Sequence, residues 1–152
     1  MFKKTSLFIA AGLLAVAPVH ADLFEPEDAV KYRQALYQTF SSQMSVMGAM
    51  LQGNIEFDAA EINRRATNMA NTAVMMGDTY FPATRGVETS NMRDRAWENM
   101  SDFQAKGAAF GEALTALVEQ SSQSDFSLRD ARSAVGAVQR SCRSCHDDYR
   151  AR

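Results

Sequence analysis

The sequence predicts an all-α protein, an antiparallel up-down-up-down four-helix bundle. Three observations predict it. Four segments carry apolar or small residues at alternating steps of three and four, the pattern of a helix facing a bundle core. No stretch alternates with a period of two over a useful length, and β-branched residues are sparse. Most of the links between the segments are short, which sets successive helices antiparallel.

The first helix is expected from about Glu25 to Gln52, with Pro26 suited to its first turn and Gly53 as its stop. Its stripe is Val30, Arg33, Tyr37, Phe40, Met44, Met47 and Leu51. The second opens at Asp58, a good N-cap, and ends near Gly77, with Ile62, Ala66, Met69, Ala73 and Met76 as its stripe. A long connection, Asp78 to Asn91, contains Pro82 and Gly86 and has no usable period. The third helix is expected from about Met92 to Glu119, on the stripe Ala96, Met100, Phe103, Gly107, Phe110, Leu114 and Leu117. After the polar break "QSSQSD", Ser127 and Asp130 make a capping-box-like start. The fourth stripe is Leu128, Ala131, Val135, Val138, Cys142, Cys145 and Tyr149.

Residues 1–21 read as a cleaved export signal rather than as part of the fold. Lys3 and Lys4 precede the apolar run Leu7 to Ala17, and "VHA" (Val19 to Ala21) supplies a small-x-small cleavage site. The run is too short to span a bilayer, and no second apolar segment follows it. A single mature domain, residues 22–152, is therefore expected, exported to the periplasm. It holds 14 basic and 18 acidic residues, a formal charge of −4. That mild acidity argues against nucleic acid and anionic membrane surfaces as partners. With His20 in the leader, His146 is the only histidine left.

The only two cysteines lie in "RSCRSCHDDYR", spaced C-x-x-C-H. A disulfide closing so small a loop adds little stability, so the pair needs another reason. A redox dithiol wants a strand followed by a helix N-terminus, whereas this pair lies deep in the last helix. A closed zinc site wants four ligands, and the mature chain offers two thiols and one imidazole within five residues. Two buried cysteines acting as small hydrophobes would leave the histidine and the spacing accidental. The remaining reading is covalent attachment of haem c. Cys142 and Cys145 then form the thioethers and His146 is the proximal iron ligand. Both cysteines continue the core-facing register, so the group they hold lies inside the bundle, with His146 about 100° further round the helix. A second histidine ligand is excluded. One of the eight remaining methionines could complete a low-spin electron carrier.

Three stretches carry a resemblance to a known family: "PEDAVKYRQ" (Pro26 to Gln34), "AWENMSDF" with Trp97 and Phe103, and the terminal "CRSCHDDYR". Across essentially the whole mature chain the sequence resembles the cytochrome c-prime family, four-helix-bundle cytochromes with haem attached near the C-terminus. The resemblance implies one haem c and a five-coordinate, largely high-spin iron whose distal face is blocked by a non-ligating side chain. That residue lies one turn beyond the first-helix arginine, at Tyr37, with Phe40 beside it. Low-spin relatives carry a methionine there. Here the first mature methionine, Met44, comes seven residues later, roughly 10 Å along the helix.

Arg33 faces the core and needs an anionic partner; the resemblance supplies a haem propionate, with Gln34 assisting by hydrogen bonding. Arg150 matches a basic position near the proximal face, and Phe81 is expected at the haem edge. The implied function is binding of nitric oxide, and of CO, in nitric oxide scavenging or transport. The alternative is respiratory electron transfer to a periplasmic redox partner. No distal histidine or acid–base pair points to an enzyme. The family also implies a homodimer through the first two helices, where Ala49, Ala59, Ala66, Ala70 and Ala73 favour close approach.

Overall fold

The computed structural model describes residues 25–151; the expected leader, residues 1–21, lies outside them. Four long helices, α1 (Pro26–Leu51), α2 (Ala59–Val74), α4 (Met100–Ser121) and α5 (Leu128–Tyr149), form the expected antiparallel bundle. A four-residue helix, α3 (Arg95–Glu98), precedes α4, and two 3-10 turns at Gly77–Thr79 and Pro82–Thr84 lie in the long connection.

Local chemistry sets the ends of these helices. Pro26 opens α1, with Glu27 and Asp28 favourably placed at the positive end of its dipole. At its other end Gly53 takes φ 77°. The amide of Gly53 then donates to the Met50 carbonyl and that of Asn54 to the Ala49 carbonyl. This is a Schellman stop, which needs the left-handed region that glycine enters freely. The Asp58 carboxylate caps α2 by accepting from the amides of Ala60 (2.8 Å) and Glu61 (3.2 Å).

Both halves of the Ser127–Asp130 capping box form at the start of α5. Those hydrogen bonds from Ser127 hold the Asp130 carboxyl below the usual aspartate range. A depressed folded-state pKa gives stability that is present above the unfolded value, about 3.9, and is lost as pH falls through the folded one. Ser127→Ala is expected to cost about 1 kcal/mol in urea unfolding at pH 7, and less once the pH drops below the lowered Asp130 value.

The third helix departs from expectation, which had it continuous from Met92. Residues 91–93 are instead extended and tied to the chain's end. Met92 and Arg150 form an isolated antiparallel bridge, the Arg93 amide donates to the Tyr149 carbonyl, and the Ala151 amide donates to the Asn91 carbonyl, both at 2.8 Å. A second interruption falls at Asn99 (φ −124°, ψ 48°). Its side-chain amide donates to the Arg95 carbonyl at 3.1 Å, a local bond of the kind that lets asparagine compete with helix propagation.

The core occupies one end of the bundle. Met47, Ile62, Met69, Leu114, Leu117 and Val138 are its largest fully buried apolar side chains. Helix α4 packs chiefly on α5 and α2, and α1 on α2, while α1 and α5 meet much less. Toward the other end the same stripes are unevenly buried: Val30, Arg33, Phe40 and Tyr149 stay buried. Met44, Phe103, Phe110, Cys142 and Cys145 are half-buried and Tyr37 is exposed. The register continues there along the wall of a cleft.

Candidate haem site

The cleft measures about 1110 Å³, just above the usual range for ligand and cofactor sites. It opens between the N-terminal half of α1 and the C-terminal half of α5, with α4 along its side. Cys142, Cys145 and His146 project into it from α5, and Arg33, Gln34, Tyr37 and Phe40 from α1. Seven of the nine expected site residues thus reach it from two helix registers, and Arg150 joins them at the end of α5.

The cysteines are both free thiols. Burial pushes each thiol upward, and for Cys145 the nearby Lys106 charge opposes that shift. Both are therefore protonated at neutral pH. His146 is pushed below the usual histidine value, first by burial and then by the Arg150 charge, with Asp147 opposing. A neutral imidazole is the form that binds a metal.

Across the cleft, the Tyr37 ring stands 6.4 Å from the His146 ring, centroid to centroid, and 5.9 Å from Phe40. Phe40 in turn meets Phe110 edge-on at 5.3 Å. Helix α1 runs unbroken from Pro26 to Leu51, so no register shift brings Met44 to the place of Tyr37.

Arg33 is only 4% exposed. Its Nη1 donates to the Thr79 carbonyl at 2.9 Å and its Nη2 to Ser90 Oγ at 3.4 Å. The guanidinium carbon lies 4.6 Å from the centre of the Tyr80 ring. These partners are neutral. A buried cation with neutral partners at the lip of a cleft leaves unbalanced positive charge, which suits an anionic group on a bound molecule. Gln34 Nε2 donates to the Thr89 carbonyl at 2.6 Å, which fixes the loop beside Arg33.

Phe81, expected at the edge of the site, does not line the cleft; its neighbour Tyr80 does. Thr79, fully buried, anchors the turn through its hydroxyl to the Met76 carbonyl at 2.7 Å and through its own carbonyl to Arg33. That anchoring turns the next side chain, Tyr80, inward. Its ring meets Phe103 edge-on at 5.1 Å, and Phe103 meets Tyr149 at 5.5 Å.

Sequence reasoning also missed Lys106, which bridges Asp102 (3.4 Å) and Asp148 (3.2 Å) at the cleft wall. The Tyr149 hydroxyl donates to Asp102. The i,i+4 spacing of Asp102 and Lys106 on α4 was the available signal.

The donor set and shape fit a covalently held haem: two free thiols one turn apart, an adjacent neutral imidazole, aromatic walls, and a buried cation at the far lip. The family comparison agrees. The Cytochrome C' family profile matches residues 28–150. The chain belongs to the cytochrome c′ family.

Members of this family carry one covalently bound haem c. Cytochrome c′ of Halomonas halodenitrificans is 39% identical over 134 residues, covering 84% of this chain and 98% of that protein. The solved structure of cytochrome c prime from Shewanella frigidimarina superimposes with a TM-score of 0.77 at 30% identity, over 84% of this chain and 98% of that one. A nitric oxide complex of a variant cytochrome c prime from Alcaligenes xylosoxidans has a TM-score of 0.75 at 30% identity, with 84% and 98% covered. Among the described residues, no helix is long and apolar enough to cross a membrane.

Proposed function

We propose that this chain is a periplasmic haem protein that binds nitric oxide, and CO, at a guarded iron, in nitric oxide scavenging or transport. The observation that carries the reading is the placement of Tyr37 opposite His146 across the cleft. An imidazole on one side and a non-ligating side chain on the other leave one iron position open. The nitric oxide complexes of the Alcaligenes xylosoxidans relative support the same ligand class.

In this reading Cys142 and Cys145 hold haem c by thioethers, and His146 is the proximal ligand. Bound there, the group supplies an iron that takes up diatomic gases and changes oxidation state. The chain's own residues do the rest. Arg33, with Gln34 fixing the adjacent loop, neutralises a propionate. Arg150 sets the charge beside His146, and Tyr37 with Phe40 and Phe110 excludes water and bulky or charged ligands. Neutral NO and CO need no distal charge to bind, which matches a wall of aromatic rings. The chemistry in this reading is reversible binding of a gas at the iron.

Electron transfer through a methionine-ligated iron is less well supported, because tyrosine occupies the place opposite His146. Pairing of two chains through α1 and α2 belongs to the same reading. Ala66 is fully buried in the chain's own core and serves the bundle instead, while Val74, 82% exposed, and Met75 remain on the open face. A single-chain mass in light scattering would contradict the dimer. For the gas-binding function, the test is titration of the ferrous holoprotein with NO, followed by absorbance and EPR. Stoichiometric formation of a nitrosyl spectrum is expected, and an unchanged ferrous spectrum would overturn the reading.

A further inference from the structure

Tyr37 and Tyr80 come from elements far apart in sequence, yet their hydroxyls are hydrogen-bonded to each other at 2.8 Å. The two side chains are held very differently. Tyr80 is anchored on three sides: its ring against Phe103, the Arg33 guanidinium over its face, and its amide donating to the Gly77 carbonyl. Tyr37 meets Phe40 and His146 edge-on, and its hydroxyl reaches across to Tyr80. That hydrogen bond ties the tip of the side chain to a separate element of the fold. The strongest fixed point on Tyr37 is therefore its hydroxyl.

We propose that Tyr80 is a positioning residue for gas entry. Its hydroxyl latches Tyr37 in the position facing His146, and breaking that single hydrogen bond is the step that opens the guarded side. This rests on the placement of haem in the cleft and of Tyr37 as its guard. Opening then costs that hydrogen bond between neutral groups in addition to the displacement of the ring itself. Burial pushes both phenols above the ordinary tyrosine range, so both stay neutral and the latch holds across the physiological pH range. The arrangement also explains why Arg33 is built into the same cluster. By bonding the Thr79 carbonyl and covering the Tyr80 ring, it fixes the latch to the wall of the cleft.

The test is flash photolysis of CO from the ferrous holoprotein in Tyr80→Phe, Tyr37→Phe and the double variant, with Tyr37→Ala alongside. Tyr80→Phe is expected to raise the CO association rate about three- to tenfold, the range of one hydrogen bond. Tyr37→Phe removes the same bond from the other side and is expected to give the same rise, with no further gain in the double variant. Ultraviolet resonance Raman provides a readout independent of gas kinetics. The tyrosine bands of the unaltered protein are expected to shift on CO uptake, and those of Tyr80→Phe to stay fixed.

An unchanged rate in Tyr80→Phe, with a raised rate in Tyr37→Ala, would overturn the latch and leave the guard standing. Unchanged rates in both would remove the guard itself, and the latch with it. Additive effects in the double variant would also overturn the latch, since each phenol would then act alone.

Discussion

Replacing Cys142 and Cys145 together with alanine is expected to abolish covalent haem completely. Each cysteine lies one turn from the other on α5 with its thiol at the cleft, and among the described residues no other cysteine exists to substitute. The measurement is haem staining after denaturing electrophoresis, or extraction of haem by acidified acetone. The double variant should lose all haem to the solvent phase, and either single variant should retain a fraction through its remaining thioether. The fold should suffer as well. The stripes of α1, α4 and α5 run out of buried neighbours at the cleft, so a chain without its haem leaves apolar rings facing water. A substantially lower thermal midpoint is expected for the haem-free chain, since a ligand bound only to the folded state stabilises it by mass action. Haem retained covalently in the double variant would place the attachment elsewhere.

The second large effect is expected from Tyr37→Ala. Removing the ring that stands 6.4 Å from His146 clears the guarded side, whereas Tyr37→Phe only unties it. The CO association rate should rise on the order of tenfold to a hundredfold, equivalent to about 1.4–2.8 kcal/mol from the entry barrier. Stability should change little by comparison, because Tyr37 lies outside the buried cluster of Met47, Ile62, Met69, Leu114 and Leu117. The two effects are separable by following CO recombination and thermal unfolding on the same preparation. An unchanged association rate would mean that Tyr37 guards nothing.

Much of this site was legible because its parts sit on helices. Arg33, Tyr37 and Phe40 follow at steps of four and three, so one register decision puts them on one face of α1. Cys142, Cys145 and His146 are fixed by covalent chemistry that demands their spacing, and the capping boundaries of α2 and α5 are local too. What escaped depends on contacts across the chain. Tyr80 and Phe81 are adjacent aromatics in a segment with no period. Which one turns inward is decided by Thr79 bonding to Arg33, 46 residues away. The late start of α3 is likewise decided by pairing of residues 91–93 with the chain's end. Helix periodicity carries no record of such a pairing.

That pairing also bears on the site. Arg150 is held by its amide donating to the His146 carbonyl at 3.2 Å and by the bridge to Met92. Its position is set by backbone on both sides rather than by a fraying terminus. The Arg150 charge, which after burial is the second cause lowering the His146 pKa, is thus carried on an anchored stretch of backbone.

The proposed function requires an open iron position between His146 and Tyr37. Optical and EPR spectra of the ferric and ferrous holoprotein, before and after addition of CO to the ferrous form, test it most directly. A largely high-spin iron is expected in both oxidation states, with CO converting the ferrous form to a low-spin spectrum. A low-spin iron that ignores CO would contradict it, and would mean that a methionine such as Met44 occupies the position assigned to the gas.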